Sequence, residues 1–267
     1  MWLTLVLVIF GIFGGILTGL LGIGSGIIYV FILPYALKYY SISSDVIVQY
    51  TIANSFFGMM LASFSANITN YLHKDMFWKE SLWVSIPGAI MALILMKSIV
   101  IQPWYSYDIF SLLLIIFLFF ILISYHAKRN KQFTRNTFSF RLLGLSGLVS
   151  GSLSALTGLG GGGILIPILS FRYYMDIKRA KSISLVMIFI ISFLLTIFNL
   201  IEEPIKSFSE LQEGYIFFPV AIPLSLGVIF GSPAGVKLSH KLSSRTISII
   251  FSLLIIVVII EKLIQLF

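Results

Sequence analysis

Long apolar runs, separated by short polar segments, make up most of the chain. Six of these runs have the length of about 20 residues that a helix needs to cross a bilayer. We predict a transmembrane helix in each: 46–66, 82–101, 108–126, 182–201, 215–236 and 246–266. Two longer runs, 2–37 and 142–175, each contain a cluster of glycines. Each is too long for one crossing and too short for two, so the pattern predicts two halves, each an interrupted segment followed by three spans.

The two glycine clusters occupy matching places in the two halves. They read "GLLGIGSGIIYVFIL" at 19–33 and "ALTGLGGGGILIPIL" at 155–169. One shift of 136 positions superimposes five glycine pairs without a gap: Gly11 and Gly147, Gly15 and Gly151, Gly22 and Gly158, Gly24 and Gly160, Gly26 and Gly162. We therefore predict an internal repeat, with a first membrane repeat at 1–126, a basic cytoplasmic linker at 127–141 and a second membrane repeat at 142–267.

The composition is that of a membrane protein. Hydrophobic residues make up 58% of the 267 residues and charged residues 10%, whereas a soluble protein carries about 25% charged residues. The predicted fold class is therefore an all-α polytopic membrane protein. The net charge of +8 is spread over short loops, without a basic arm interleaved with aromatics, so no nucleic acid is expected as a partner. Because the chain has no cysteine and its three histidines are far apart in sequence, neither a metal site nor a cofactor is predicted.

Basic residues predict the sides of the membrane on which the loops lie. The linker 127–141 carries five basic residues and no acid, and the loop 172–181 carries four basic residues against Asp176, so both are expected in the cytoplasm. Two consecutive loops on one side require the segment 142–175 to enter the membrane and return, turning at its glycines. If the segment 2–37 does the same, the halves are inverted repeats, each a re-entrant or broken helical hairpin plus three transmembrane helices. Many secondary transporters have this plan.

The glycine clusters are the main candidates for a binding site. Bare backbone at membrane depth is tolerated only where protein buries it or where it lines a polar cavity. The second arms are predicted to begin near 25–28 and 161–164, where a helix start offers free N–H groups and the positive end of its dipole to an anion. The predicted substrate site comprises the two tips and nearby hydroxyls: Thr18, Gly22, Gly24, Ser25, Gly26, Thr157, Gly158, Gly160, Gly161, Gly162 and Gly163. The alternative is that the small residues only allow close helix packing.

A polar patch in the span after the first hairpin extends the candidate site. The stretch "VQYTIANSFFG" places Gln49, Thr51, Asn54 and Ser55 in an otherwise apolar helix, and Ser184 lies in the matching span of the second half. We assign Thr51, Asn54 and Ser184 to the predicted substrate site. The alternative is again structural, because polar side chains in membranes also join helices to one another.

Charged side chains are expected outside the site. Lys181 lies at the edge of a predicted span, where its ammonium is expected to reach the headgroups. Asp108 and Glu261 lie at span ends, so no carboxylate is expected at the depth that a cation pump or proton relay uses. A cation substrate is therefore disfavoured. An intramembrane enzyme with Ser25 as nucleophile is disfavoured too, because a nucleophile needs a base within hydrogen-bond reach and none is predicted there.

The motifs "GIGSGIIYVFILP" at 22–34 and "GLGGGGILIPIL" at 158–169 resemble those of the TauE/SafE family, the sulfite exporter family of membrane anion transporters. The resemblance covers essentially the whole chain, and "SISL" at 182–185 fits it as well. Ser25 stands where glycine is usual in the family, and Phe31 stands where proline is common. These departures leave the particular substrate open.

The resemblance implies a multi-pass secondary transporter in the plasma or inner membrane of a bacterium. It implies export of sulfite or of organosulfonates such as sulfoacetate by alternating access, with no catalytic residue. The expected partners are a small anionic substrate and membrane lipid, and a homodimer is left open. Two alternatives also stay open: import of a related anion such as thiosulfate, and a non-transporting scaffold in the membrane.

Overall fold

The computed structural model describes residues 2–126 and 139–266, which form ten α-helices. In chain order these are α1 (Trp2–Leu21), α2 (Gly26–Tyr39), α3 (Ile47–Leu72), α4 (Trp78–Leu95), α5 (Tyr107–His126), α6 (Phe140–Thr157), α7 (Gly162–Pro167), α8 (Ile177–Ile201), α9 (Phe218–Lys241) and α10 (Ser244–Leu266). A π-helical turn continues α4 at Met96–Val100, and another continues α7 at Ile168–Arg172. Between α8 and α9, strands β1 (Gln212–Glu213) and β2 (Ile216–Phe217) form a small antiparallel hairpin. The predicted all-α polytopic membrane fold is confirmed.

Seven of the described helices are long and apolar enough to cross a bilayer, namely α1, α3, α4 with its π turn, α5, α6, α8 and α9. The six predicted spans correspond to α3, α4 with its π turn, α5, α8, α9 and α10. The prediction for α3 ended at residue 66, whereas the helix continues to Leu72. Its last turns are polar in sequence, but Thr69 and Asn70 are buried by neighbouring helices rather than exposed in a loop.

Local sequence signals account for several helix ends. The side chain of Asp176 accepts a hydrogen bond of 3.0 Å from the N–H of Lys178 and so caps the start of α8. Pro219 lies in the first turn of α9, where its missing N–H costs no helical hydrogen bond. Gly158 ends α6 in the left-handed conformation that helix ends favour.

Both interrupted segments break at their glycines, as predicted. α1 is separated from α2 by residues 22–25, and α6 is separated from α7 by residues 158–161. The first arms have 20 and 18 residues, or about 30 and 27 Å of helix. The second arms are shorter: α2 has 14 residues, or about 21 Å, and α7 with its π turn is shorter still. Each hairpin therefore combines one arm of spanning length with one shorter arm, and both tips lie inside the protein.

The long arm of each hairpin packs against a span from the other half. α1 runs parallel to α9, and α6 runs parallel to α4, each pair in backbone contact along a row of glycines. A methyl group on Gly15 would overlap the backbone of Val228, and one on Gly151 would overlap the backbone of Gly88. Small residues allow this close approach between membrane helices.

Exchanging the two halves converts each of these contacts into the other. The exchange also relates α3–α9 to α8–α4, and it maps the pairs α3–α8 and α5–α10 onto themselves. This packing is the one that an internal repeat predicts. The opposite orientation of the two halves in the membrane remains a prediction, from loop charge for the second half and from the repeat for the first.

The connecting loops gather at two ends of the helical bundle. At one end, Lys206 contacts Asp45 at 2.5 Å, and Gln49 donates a hydrogen bond to the carbonyl of Gln102. We call this the Lys206 end; it carries the loops 40–46, 101–106 and 202–217. At the opposite end, Ser182 donates a hydrogen bond of 2.5 Å to the carbonyl of Asp75. We call this the Lys181 end; it carries the loops 73–77, 173–176 and 242–243.

This grouping of loops agrees with the sides predicted from charge. The basic loop 172–181, predicted to be cytoplasmic, lies at the Lys181 end, and the acidic loop before α9 lies at the Lys206 end. The basic linker 127–141 lies outside the described residues except for 139–141. Its cytoplasmic position remains a prediction.

Candidate functional site

The two glycine tips meet inside the protein. Gly24 and Gly160, which the repeat pairs, have φ angles of 95° and 87°. Only glycine adopts this part of backbone space without strain. A methyl group on either residue would contact Met59 Sδ and the side chain of Ile188. Gly24 and Gly160 therefore lie together at the centre of the fold, between one residue of α3 and one of α8.

The tips pass each other in opposite directions and in backbone contact. A methyl group on Gly26 would lie 2.5 Å from the carbonyl oxygen of Gly158, and one on Gly162 would lie 2.6 Å from that of Gly22. Gly158, the first residue of the second tip, thus faces Gly26 at the start of α2, and Gly22, the first residue of the first tip, faces Gly162 at the start of α7. The sequence predicts two facing helix starts here, and the structure places the start of α2 and the start of α7 each against the opposite tip.

Two serines fix the tips to the helices that flank them. Ser55 Oγ donates a hydrogen bond of 2.7 Å to the carbonyl oxygen of Gly158, and Ser184 Oγ donates one of 2.7 Å to that of Gly22. These two hydrogen bonds are equivalent under exchange of the halves. Ser184 was in the predicted site, whereas Ser55 was noted in the polar patch and left out of it.

The sequence contains a signal that would have found Ser55. The tips are related by a shift of 136 (158 − 22), but α3 and α8 are related by a shift of 129 (184 − 55), because the second half is seven residues shorter between hairpin and span. The shift of 129 pairs Ser55 with Ser184 and Met59 with Ile188, and it also pairs Ser63 with Ser192 and Asn70 with Asn199. The single shift of 136 that aligns the tips does not show this register.

Several hydroxyls on the helices that lead to the tips or flank them have no hydrogen-bond partner although they are fully buried. Thr51 Oγ1, Ser150 Oγ and Ser154 Oγ are in this position. Ser25 Oγ faces the hydroxyl of Tyr29 without forming a hydrogen bond of normal geometry. Buried polar groups are nearly always paired, so these hydroxyls are free to donate to a ligand.

Backbone donors add to this group. Among the described residues, the N–H groups of Gly24, Ser25, Gly160 and Gly161 have no hydrogen-bond acceptor. All residues of both tips are buried. The tips therefore present a buried surface that is rich in donors and carries no carboxylate, which is what a small anion requires.

Other predicted residues have structural contacts instead. Thr18 and Thr157 donate to the carbonyls of Gly14 and Leu153 in the last turns of their own helices, at 2.9 and 2.6 Å, so both hydroxyls already have an acceptor. Gly163 packs against α5, because a methyl group there would press on Ile121 at 2.5 Å, and it would also contact the side chain of Ile23 in the first tip at 3.5 Å.

Asn54 uses its whole amide group to hold the segment before α9. Its Nδ2 donates to the carbonyls of Tyr50 and Tyr215 at 2.7 and 3.1 Å, and its Oδ1 accepts from the N–H of Phe217 at 2.9 Å. The structural alternative therefore describes Asn54 better than a role in binding. Thr51, by contrast, lies one helical turn before Ser55 with its hydroxyl free.

Lys181 corrects an expectation. Its side chain does not reach the headgroups: the residue is 8% exposed, and Nζ donates to the carbonyl of Gly19 at 2.9 Å and to Ser239 Oγ at 2.6 Å. Tertiary packing is the reason. The start of α8 lies beside the end of α1, and the end of α9 supplies Ser239 as an acceptor. A methyl group on Gly22 would overlap Lys181 Cγ, so this lysine lies directly beside the first tip.

Sequence reasoning missed a second buried lysine at the Lys206 end. Lys262 is fully buried, with Nζ 2.8 Å from the hydroxyl of Tyr107 and 3.2 Å from the carboxylate of Glu261. Glu261 also accepts a hydrogen bond of 2.7 Å from Tyr35. This network joins α2, α5 and α10, and nothing in the sequence near Lys262 indicates its distant partners.

The sequence around the tips matches one family. The sequence profile described as sulfite exporter TauE/SafE matches residues 4–261, which include both tips. The chain belongs to the TauE/SafE family. The family resemblance noted in the two glycine motifs is thereby confirmed over nearly the whole chain.

Curated relatives of this TauE/SafE chain carry transporter names. A probable membrane transporter protein of Methanocaldococcus jannaschii is 28% identical over 92% of this chain and 90% of its own length. The probable membrane transporter protein YunE of Bacillus subtilis is 24% identical over 95% and 94%, and one of Haemophilus influenzae is 24% identical over 96% of both chains. No solved structure gives a significant match. The chain is therefore a multi-pass membrane protein of a transporter family.

Proposed function

We propose that this protein is a secondary transporter that exports small sulfur-containing anions across the plasma membrane of a bacterium. Sulfite and organosulfonates such as sulfoacetate are the proposed substrates. The observation that carries the proposal is the meeting of the two glycine tips, whose N–H groups at Gly24, Ser25, Gly160 and Gly161 are buried without an acceptor. The family description, sulfite exporter, supports a sulfur-containing anion as the substrate.

The chemistry of the tips suits such an anion. A sulfur oxyanion presents several acceptor oxygens and no donor, and hydrogen bonds to a charged acceptor are about twice as strong as neutral ones. The donors available to it are the N–H groups of Gly24, Ser25, Gly160 and Gly161 and the hydroxyls of Thr51 and Ser154. A cation would find no carboxylate among these groups.

The repeat supports transport by alternating access. In this structure the tips are buried, so a ligand held there is separated from both ends of the bundle. We propose that the halves are inverted in the membrane with the Lys181 end in the cytoplasm. Each long arm is locked to a span of the other half, α1 to α9 and α6 to α4. Movement of one locked pair against the other would open the tips to one end at a time.

Transport assays in proteoliposomes test this proposal. Labelled sulfite, thiosulfate and sulfoacetate are loaded in turn, and efflux and uptake are compared with and without a pH gradient. We expect flux of at least one sulfur anion by the wild-type protein, with outward flux preferred, and competition by the others. Preferred inward flux of thiosulfate would support import instead. Absence of flux for all three anions, from protein that is folded and inserted, would contradict the proposal and favour a scaffold.

A further inference from the structure

One buried charge lies next to the tips and has no counterpart in the other half. Lys181, Ser184 and Ile188 form the face of α8 that is turned toward the tips. The shift of 129 pairs Lys181 with Ile52 on the matching face of α3. Ile52 packs beside Gly158 in the second tip, as Lys181 packs beside Gly22 in the first. The second tip therefore packs against an apolar side chain, and the first tip packs against a cation.

The ammonium of Lys181 has only neutral hydrogen-bond partners. Nζ donates to the carbonyl of Gly19 and to Ser239 Oγ, and no carboxylate of the described residues lies within 4.0 Å of it. Asp75 acts on it through space without forming an ion pair. A charged side chain within a membrane segment is costly and is usually paired. The negative end of the α1 dipole at Gly19 offsets only part of this cost.

The surroundings of Lys181 at the Lys181 end are mostly basic. Lys178 lies one turn earlier on α8, and His240 follows Ser239 on α9. The ring of His73 lies 5.4 Å from that of His240. Asp75 is the one carboxylate among the groups that act on Lys181. A group of basic side chains at one end of the bundle attracts anions to that end.

We propose that Lys181 is an anion ligand on the path between the Lys181 end and the tips. When this end opens, Nζ exchanges the Gly19 carbonyl and Ser239 Oγ for an oxygen of the sulfur oxyanion. The resting acceptors keep the ammonium hydrogen-bonded when no anion is present, and they compete with the anion for it. This inference rests on the proposed function, because it assigns a ligand to the same substrate.

Anion-dependent melting of the purified protein in detergent tests the inference. Melting temperature is recorded against sulfite, thiosulfate and sulfoacetate for wild type, Lys181→Gln, Lys181→Arg and Lys178→Gln. We expect the half-saturating concentration of the effective anion to rise at least tenfold in Lys181→Gln and less in Lys181→Arg. Lys178→Gln, one turn away on the same helix, removes a charge that attracts the anion only from a distance, so its half-saturating concentration should rise far less than that of Lys181→Gln.

A second variant keeps the inference testable if Lys181→Gln does not fold. Ser239→Ala removes one resting acceptor of Nζ, so the half-saturating concentration should fall, whereas a lysine that only caps α1 gives no gain. Lys181→Gln with a lower melting temperature but an unchanged anion response would overturn the inference and leave the proposed function intact. No response of the wild-type protein to any of the three anions would overturn both.

Discussion

The hydroxyl of Ser184 donates a hydrogen bond of 2.7 Å to the carbonyl oxygen of Gly22, which joins the second half of the chain to the tip of the first. Ser55 makes the reciprocal bond to Gly158. Each bond satisfies a carbonyl that the break in the helix would otherwise leave unpaired in a buried place. The two tips are therefore held by side chains of the spans and not by their own hairpins alone.

Removing either of these hydroxyls should loosen a tip. Ser184→Ala and Ser55→Ala leave a buried carbonyl without its donor, and we expect each to lower the free energy of unfolding by about 1 kcal/mol. Unfolding in mixed detergent micelles measures this loss. Ser98→Ala is the matched control, because Ser98 is exposed and bonds only to Ile94 in its own helix. Equal effects in all three variants would show that the tips do not depend on these bonds.

A methyl group at the centre of a tip should disturb both folding and transport. Gly24→Ala must hold alanine at φ 95°, which costs roughly 1–2 kcal/mol, and its methyl group lies where an anion would approach the backbone. We expect a modest loss of melting temperature and a loss of transport of more than tenfold. Labelled-anion flux and thermal melting measure the two effects.

Gly144→Ala is the control for this variant. Gly144 lies inside α6, and a methyl group there comes no closer than 3.7 Å to its neighbours. Since alanine favours a helix over glycine by about 1 kcal/mol, this variant should melt at the same temperature or higher and transport normally. Equal transport by Gly24→Ala and Gly144→Ala would mean that the tips are only a packing seam.

The buried network at the Lys206 end should matter for stability more than for transport. Glu261→Gln removes the carboxylate beside the fully buried Lys262, and we expect a loss of more than about 1 kcal/mol, because a buried charge loses its partner. Transport at saturating substrate should change by less than about tenfold, since the network lies away from the tips. Asp108→Asn, at the exposed start of α5, should change neither. A complete loss of flux in folded Glu261→Gln protein would identify a coupling residue instead.

Sidedness can be tested without background because the chain has no cysteine. Cysteine at Ser44 or Glu210, both exposed at the Lys206 end, should react with an impermeant maleimide on intact cells. Cysteine at His73 or Lys241, exposed at the Lys181 end, should react only after the membrane is opened. Labelling of Ser44→Cys and Glu210→Cys from opposite sides would contradict the inverted repeat.

The main features of the fold follow from local sequence. Clustered glycines destabilise a helix, so breaks near residues 22–25 and 158–161 could be predicted from the sequence. Isolated glycines, such as those of α9, continue their helix. The side-chain partners could not. Lys181 and Asn54 both lie in spans, and only the packing of distant segments decides that one turns inward to Gly19 and the other holds Tyr215. The register between α3 and α8 was hidden because the two halves differ in length before these helices.

The central claim is that the tips bind a sulfur oxyanion, and the unpaired hydroxyls give its most direct test. Thr51→Val and Ser154→Ala remove buried hydroxyls that have no partner, so neither variant should lose stability. Ser152→Ala is the control, because the hydroxyl of Ser152 bonds within its own helix. The measurement is equilibrium binding of labelled sulfite to the purified proteins. The account predicts one saturable site per wild-type chain, and at least tenfold weaker binding in Thr51→Val and Ser154→Ala with melting temperatures unchanged or higher. Wild-type affinity in both variants would contradict it.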